Sequence, residues 1–522
     1  MSQREEHDRV ASLIYLALSE RRHDDAVELA EANWPVLISH NVAALRAVAD
    51  QLSAAELAER PAWDRIRRYL GFLMIESSLR PSAYVESALP HPPRGLADTL
   101  LTLTTRSIAA RTAGRFSEAV QIARGALDRL NEARESEREA IQHRLADGYL
   151  QWGLSFEFAA LEREALTSLE RAYDLGIAFE NMRVATDAAG ELAWIHSIAG
   201  RGLTADDWIE KARTLAASSR SSGAWRRTDL LAAAVRTADR MHPDAALEQL
   251  TARSGGGSID EHRLTTMAQS ALFRLSAGRS STTLLLAELQ HASTTDLSLL
   301  AEPSENSLML GYVEALVHLY ADRPDRSLEL LAQLGTDRAL PYVLGLRSAV
   351  QLAIGAKAEA ERDADEVISR YGQCPRQLVP ALLVKATIAL QARDSTAAIS
   401  AFTDACGLAL EKKLLASLVV IPHADFAQLL TLAGERLDDP QLDTLARTPL
   451  VFAPPRREAV KLSPRELSVL RELARGGALA EVAARLHVSV NTLKVHNHAI
   501  YKKLAVDGRD SAIALARDRG LI

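Results

Sequence analysis

A short phrase recurs along this chain, and its spacing constrains the fold more than any other feature. Ala113-Gly114-Arg115, Ala199-Gly200-Arg201 and Ala277-Gly278-Arg279 each follow an apolar helical stretch and precede an amphipathic one. Ala238-Asp239-Arg240 and Ala321-Asp322-Arg323 occupy the same kind of place, and weaker equivalents begin at Ala159, Ile354 and Ala392. Successive steps from position 113 are 46, 40, 39, 39, 44, 33 and 38 residues. A period of roughly forty is one helical hairpin with its connections. The stretches after the turns keep apolar residues at helical spacing: Ala119, Val120, Ile122 and Ala123; Leu247 and Leu250; Leu328, Leu330 and Leu331; Ile399 and Phe402. A lone hairpin of this kind cannot bury its apolar face, so neighbours must stack. The expectation is an all-α chain built as an α-solenoid.

The pattern is similar to tetratricopeptide repeats in a loose form, without their strict aromatic and proline signature. It spans 113–447. Residues 1–112 continue helically with less regular spacing, broken at Pro81, Pro90, Pro92 and Pro93, and read as irregular repeats or a cap. Asp24-Asp25 has no strand pattern beside it, so it reads as a helix start rather than a phosphoacceptor pair. Helical pieces follow over 424–436 and 441–447. Pro449, Pro454 and Pro455 then exclude a regular helix, which leaves 448–460 as a semi-stiff linker to a C-terminal domain at 461–522.

Composition narrows the function. No run of eighteen apolar residues exists, and the polar start Met1-Ser2-Gln3-Arg4-Glu5-Glu6 has no signal-peptide shape, so a cytoplasmic protein without a membrane span is expected. Two cysteines, Cys374 and Cys406, make neither a disulfide framework nor a zinc site, and Cys406 reads as a buried thiol. His23, His40, His91 and His143 are scattered without metal-ligand spacing. Gly278-Arg279-Ser280-Ser281 lacks the lysine and second glycine of a phosphate cradle, and no Gly-x-Ser-x-Gly elbow occurs. The reading is of a non-enzyme with no cofactor and no metal. Trp152, Phe156, Phe158, Trp194, His196 and Trp208 are expected to pack between hairpins.

The C-terminal domain points elsewhere. Residues 461–522 hold eleven Lys or Arg against six Asp or Glu, a surplus of five. The chain as a whole carries −7, which leaves −12 for residues 1–460. A basic end on an acidic body suits a domain that meets phosphates. Leu479–His487 followed by Val488–His496 reads as a short helix, a turn closed by Ser489 and a second helix, the helix-turn-helix plan. Ser489 is the cap of the second helix. On a wheel, Leu493, Ile500 and Leu504 share one face, flanked by His496 and Asn497, and dock on Val482, Ala483 and Leu486. Lys494, Val495 and His498 then face the major groove, where a lysine suits guanine O6 and N7 and a valine touches a thymine methyl. Thr492, Lys502 and Lys503 lie over the DNA backbone and add salt-dependent affinity.

Leu462-Ser463-Pro464-Arg465-Glu466, Val469-Leu470, Glu481-Val482-Ala483, Leu486, Ser489, Asn491-Thr492, Lys494, His496, Ile500-Tyr501, Lys503-Leu504 and Arg509 together resemble the LuxR/FixJ type of helix-turn-helix domain. The resemblance covers about sixty residues. It implies a four-helix domain that binds double-stranded DNA as a homodimer, with base contacts from Lys494, Val495 and His498, and contacts to RNA polymerase. Ala478, Leu479 and Ala480 depart from the pattern by removing a helix cap and a phosphate contact. Asn497, Ala499 and Gly508 depart from it too. Large LuxR-type regulators pair repeats with a nucleotide-binding domain, and no such domain is expected here. The leading expectation is a transcription regulator whose helical region senses a small molecule or a partner protein. The alternative is an interaction scaffold with a weakly DNA-binding tail.

Overall fold

In a computed structural model the described residues are 3–73, 93, 95–218, 228–253, 261–295, 302–334, 340–447, 462–504, 506, 508–518 and 522. Among them every regular element is a helix. The expected linker at 448–460 lies outside the described residues, as do Pro81, Pro90 and Pro92.

The recurring turns have one physical cause. At each, a single residue takes a left-handed backbone: Gly114, Ala160, Gly200, Met241, Gly278, Asp322, Gly355 and Arg393. The amide that follows reaches back five residues to a helix carbonyl, as in Arg115 N–H to Ala110 O (2.9 Å), Arg279 N–H to Arg274 O (2.8 Å) and Asp394 N–H to Ala389 O (3.0 Å). This closure satisfies carbonyls that a helix end leaves without partners, and it favours glycine. The phrase at 238–240 is displaced: Asp239 is still helical, and the left-handed residue is Met241.

Each turn joins an inner helix to an outer one. The inner row runs Gly95–Thr112, Leu145–Phe158, Met182–Ala199, Thr228–Asp239, Arg263–Ser276, Glu305–Tyr320, Leu340–Ala353 and Pro375–Ala392, and each packs on the next. Met182–Ala199 is buried at every position from Val184 to Ala199, as a helix walled in on all sides must be. The outer helix Phe116–Glu132 instead buries one stripe, Phe116, Ala119, Val120, Ala123, Ala126 and Leu130. Trp152, Phe156, Phe158 and Trp194 fill this core, and Cys374 and Cys406 are buried free thiols. Asp24 and Asp25 stand in the first turn of helix His23–Ala32, where carboxylates suit the helix dipole.

The inner row coils back on itself. The Arg376 guanidinium donates to both oxygens of Asp239 (2.6 and 2.8 Å) and to the carbonyls of Ile198 (3.1 Å) and Ser197 (2.7 Å). Arg236 donates to the carbonyls of Lys412 (3.0 Å) and Lys413 (3.3 Å). Gly200 sits in this seam, where an added Cβ would lie 2.5 Å from the Arg376 backbone nitrogen. The coil encloses a chamber of about 320 Å³ lined by Tyr312, Tyr320, Tyr342, Gln269 and Gln377 among apolar side chains. The first helices, Gln3–Leu73, form a separate apolar cluster around Trp63, Leu45 and Leu70.

Candidate nucleic-acid interface

Four helices form the C-terminal domain: Pro464–Ala474, Leu479–Arg485, Val490–Leu504 and Arg509–Asp518. Val469, Leu470, Leu473, Val482, Ala483, Leu493, Ile500, Leu504, Ala512 and Ala516 make its core. The first helix starts with a complete reciprocal cap: Ser463 Oγ accepts from the Glu466 N–H (3.2 Å), and the Glu466 carboxylate accepts from the Ser463 N–H (2.6 Å).

The second helix starts with half of that device. Glu481 accepts from the Ala478 N–H (3.0 Å), but Ala478 has no side-chain oxygen to return the bond. Gly476 and Gly477 reach this start through left-handed backbone, and a Cβ on Gly477 would meet Glu481 Oε2 at 2.5 Å. Two arginines hold the loop. Arg485 pairs with the Glu472 carboxylate (2.8 Å) and donates to the carbonyls of Glu472 (3.0 Å) and Gly476 (2.8 Å). Arg509 donates to the carbonyls of Gly477 (2.7 Å) and Leu473 (2.8 Å).

His487 makes the turn between the second and third helices, with φ 52°. Val488 N–H bonds Ala483 O (3.0 Å), the same closure used in the upstream hairpins. Ser489 Oγ then accepts from the Thr492 N–H (3.1 Å) and meets the Thr492 hydroxyl at 2.8 Å. The third helix turns Leu493, Ile500 and Leu504 inward. Asn497 joins them, 6% exposed, with its side-chain oxygen lacking a partner. Thr492, Lys494, Val495, His498, Lys502 and Lys503 are on the exposed side. Val495 is 69% exposed, far more than the other exposed large apolar side chains of the described residues. Burial cannot explain a valine so placed. Lys494, Val495 and His498 are spaced to form one strip on that side.

Lys503 differs from its neighbours. Its ammonium donates to Glu466 Oε2 (2.7 Å) and draws that carboxyl below its usual range, assisted by the Ser463 amide. The pair spans 37 positions, so spacing along the chain gave no sign of it. The left-handed His487 and the two loop-holding arginines were likewise not read from the sequence. A Gly-Gly pair before a capped helix was the one available signal.

A short helix, a tight turn and a capped helix presenting an uncovered polar strip define a helix-turn-helix domain of the DNA-binding class. Residues 460–516 match the GerE family, described as bacterial regulatory proteins, luxR family. The C-terminal domain belongs to that family. The same region is similar to the CsgBAC operon transcriptional regulatory protein of Escherichia coli (strain K12), 38% identical over 61 residues. It is also similar to the probable transcriptional regulatory protein NarL of Mycobacterium tuberculosis (strain ATCC 25618 / H37Rv), 39% identical over 61 residues. Each match covers 12% of this chain and 28% of the relative, so the likeness is one of domains. No described helix is long and apolar enough to cross a membrane.

Proposed function

We propose that the protein is a sequence-specific DNA-binding transcription regulator. The observation that carries this reading is the uncovered strip Lys494, Val495 and His498 on a capped third helix of a LuxR-family domain. In the proposal these three side chains read base edges in the major groove. Thr492, Lys502 and Lys503 hold the phosphate backbone, with Ser489 fixing the start of the helix. One such module reads few bases, so the working form on DNA is a homodimer on two half-sites, positioned to contact RNA polymerase. Residues 113–447 are the regulatory part, joined through 448–460, and residues 1–112 are irregular helical repeats or a cap that extend it. Their effector is a small molecule or partner protein, and the chamber of about 320 Å³ supports the former because it combines polar groups with an apolar wall.

The test is binding of the full-length chain, across a salt series, to sites recovered from cells. Lys494→Ala is expected to cost about 1–3 kcal/mol at a preferred site and to relax sequence choice there. Binding that is indifferent to sequence and unchanged in Lys494→Ala overturns the reading and leaves the interaction scaffold.

A further inference from the structure

Three carboxylates and one imidazole meet inside the helical coil. Glu157 ends one inner helix, Glu191 lies in the middle of the next, His262 precedes a third and Glu305 begins a fourth. Their exposures are 4, 0, 1 and 9%. His262 Nε2 lies 3.0 Å from Glu191 Oε2 and 3.5 Å from Glu157 Oε1. The Trp194 indole N–H donates to Glu305 Oε1, and the Thr228 hydroxyl donates to Glu191 Oε1 (3.0 Å).

Arg111 is committed to Glu261 (2.8 Å), the residue beside His262. All four side chains of the cluster lie in a place where charge is costly unless it is held by partners or an ion. Glu305 Oε2 and His262 Nδ1 are both buried and have no hydrogen-bond partner. Burial above all, with the neighbouring carboxylate Glu191, pushes the Glu305 carboxyl above its usual range, whereas His262, Trp194 and the adjoining Glu157 carboxyl act the other way.

We infer that Glu157, His262 and Glu305 form a binding site for one divalent transition-metal cation, with Glu191 beside it. One ligand atom from each of the three lies within 4.8 Å of the others. Donors on opposite sides of an ion with bonds of about 2.0–2.4 Å are separated by about 4–4.8 Å, so the spacing fits a single ion. Imidazole with carboxylates selects zinc, manganese or ferrous iron over the all-oxygen cations. Trp194 orients the ligand Glu305, and Thr228 holds Glu191, which in turn meets the His262 ring, as outer partners do in metal sites. A cavity of about 100 Å³ lined by Glu157, Glu305, Trp194 and Cys374 adjoins the cluster, and it shares Ile198, Met309 and Tyr342 with the larger chamber. This provides both room for bound water and an entry path. An ion here ties three hairpins together at their inner faces.

The experiment measures metal in the untagged full-length chain by mass spectrometry. The chain is stripped with EDTA, reloaded with ZnCl₂ or MnCl₂ and desalted. About one equivalent is expected to remain, with a higher thermal midpoint than in the stripped protein. Glu305→Gln and His262→Ala are expected to weaken binding at least about tenfold. Cys374→Ser, which alters only the adjoining cavity, is expected to retain it. Glu305→Gln nearly preserves shape and decides the matter if His262→Ala fails to fold. No retained metal in the reloaded wild-type chain overturns the site and leaves a cluster held by shared protons. Equal retention by wild type and Glu305→Gln overturns it in favour of adventitious surface binding. Neither result touches the DNA-binding proposal, which rests on a different domain.

Discussion

The helical coil and the C-terminal domain use charge in opposite ways. In the coil the guanidinium groups of Arg111 and Arg236 and the carboxylates of Glu191 and Asp239 are buried to 2% exposure or less. In the C-terminal domain Lys494 and Lys502 stand in the open. Buried charge is held by several partners at fixed distances and gives the coil its closed shape. Exposed charge contributes little to the fold and is available to a ligand. Stability and recognition are therefore separable in this chain, and substitutions can break or sharpen that separation.

The largest effect is expected inside the coil. Asp239→Ala removes the carboxylate of Arg376 and leaves Arg236 with the Asp206 carboxylate alone, and should cost about 3–5 kcal/mol, because a largely buried cation loses its partner. All six tryptophans lie before residue 461, so their fluorescence in urea reports the region before the C-terminal domain, with Trp152, Trp194 and Trp208 in the coil. A loss below about 1 kcal/mol would show that the seam is not held by charge. Lys494→Ala should leave that urea transition within about 0.5 kcal/mol of wild type while lowering DNA affinity. A shift of the coil transition by Lys494→Ala would break the comparison outright.

Smaller effects sharpen it. Ala478 already has an extended backbone suited to a cap (φ −67°, ψ 155°), so Ala478→Ser should stabilise the C-terminal domain by about 1 kcal/mol in thermal unfolding. No gain would mean that the Glu481 bond alone suffices. The smallest effect concerns pH. The folded Glu466 carboxyl titrates below its usual range, so its contribution is present above the ordinary carboxylate pKa and is lost as pH falls through the lower folded value. Lys503→Met removes the main cause and should reduce the domain's resistance to acid while changing little near neutral pH. An unchanged acid limb would show that the Ser463 amide holds the carboxylate without Lys503.

Legibility followed the distance between interacting residues. The hairpin turns were readable because the left-handed position often holds glycine, as at Gly114, Gly200, Gly278 and Gly355. The turn near 239 was misplaced by two residues because Asp239 remains helical to hold Arg236 and Arg376. On the third helix of the C-terminal domain the exposed and buried faces followed helical spacing. Asn497, read as flanking the apolar face, is buried with it, while its flanking partner His496 stays half-buried. The Glu157, Glu191, His262 and Glu305 cluster had no local spacing, because its members come from four hairpins. Its trace was a charged residue inside an apolar run, as in Phe156-Glu157-Phe158, which marks an interior carboxylate without naming its partners.

The seam at Arg376 also sets an order of events. Hairpin turns close over a handful of residues, whereas the bond from Arg376 to Asp239 joins positions 137 apart, and that to the Ser197 carbonyl positions 179 apart. Contacts between near neighbours form first, and distant ones must wait for the intervening chain to be ordered. During synthesis the earlier hairpins can stack while residues beyond 376 are still being added. The chamber, walled by Asp239 on one side and Arg376 and Gln377 on the other, exists only after that last closure. The ligand-holding role proposed for it would thus be a late-acquired property of the chain, and a nascent or truncated product can be largely helical and stacked without the chamber.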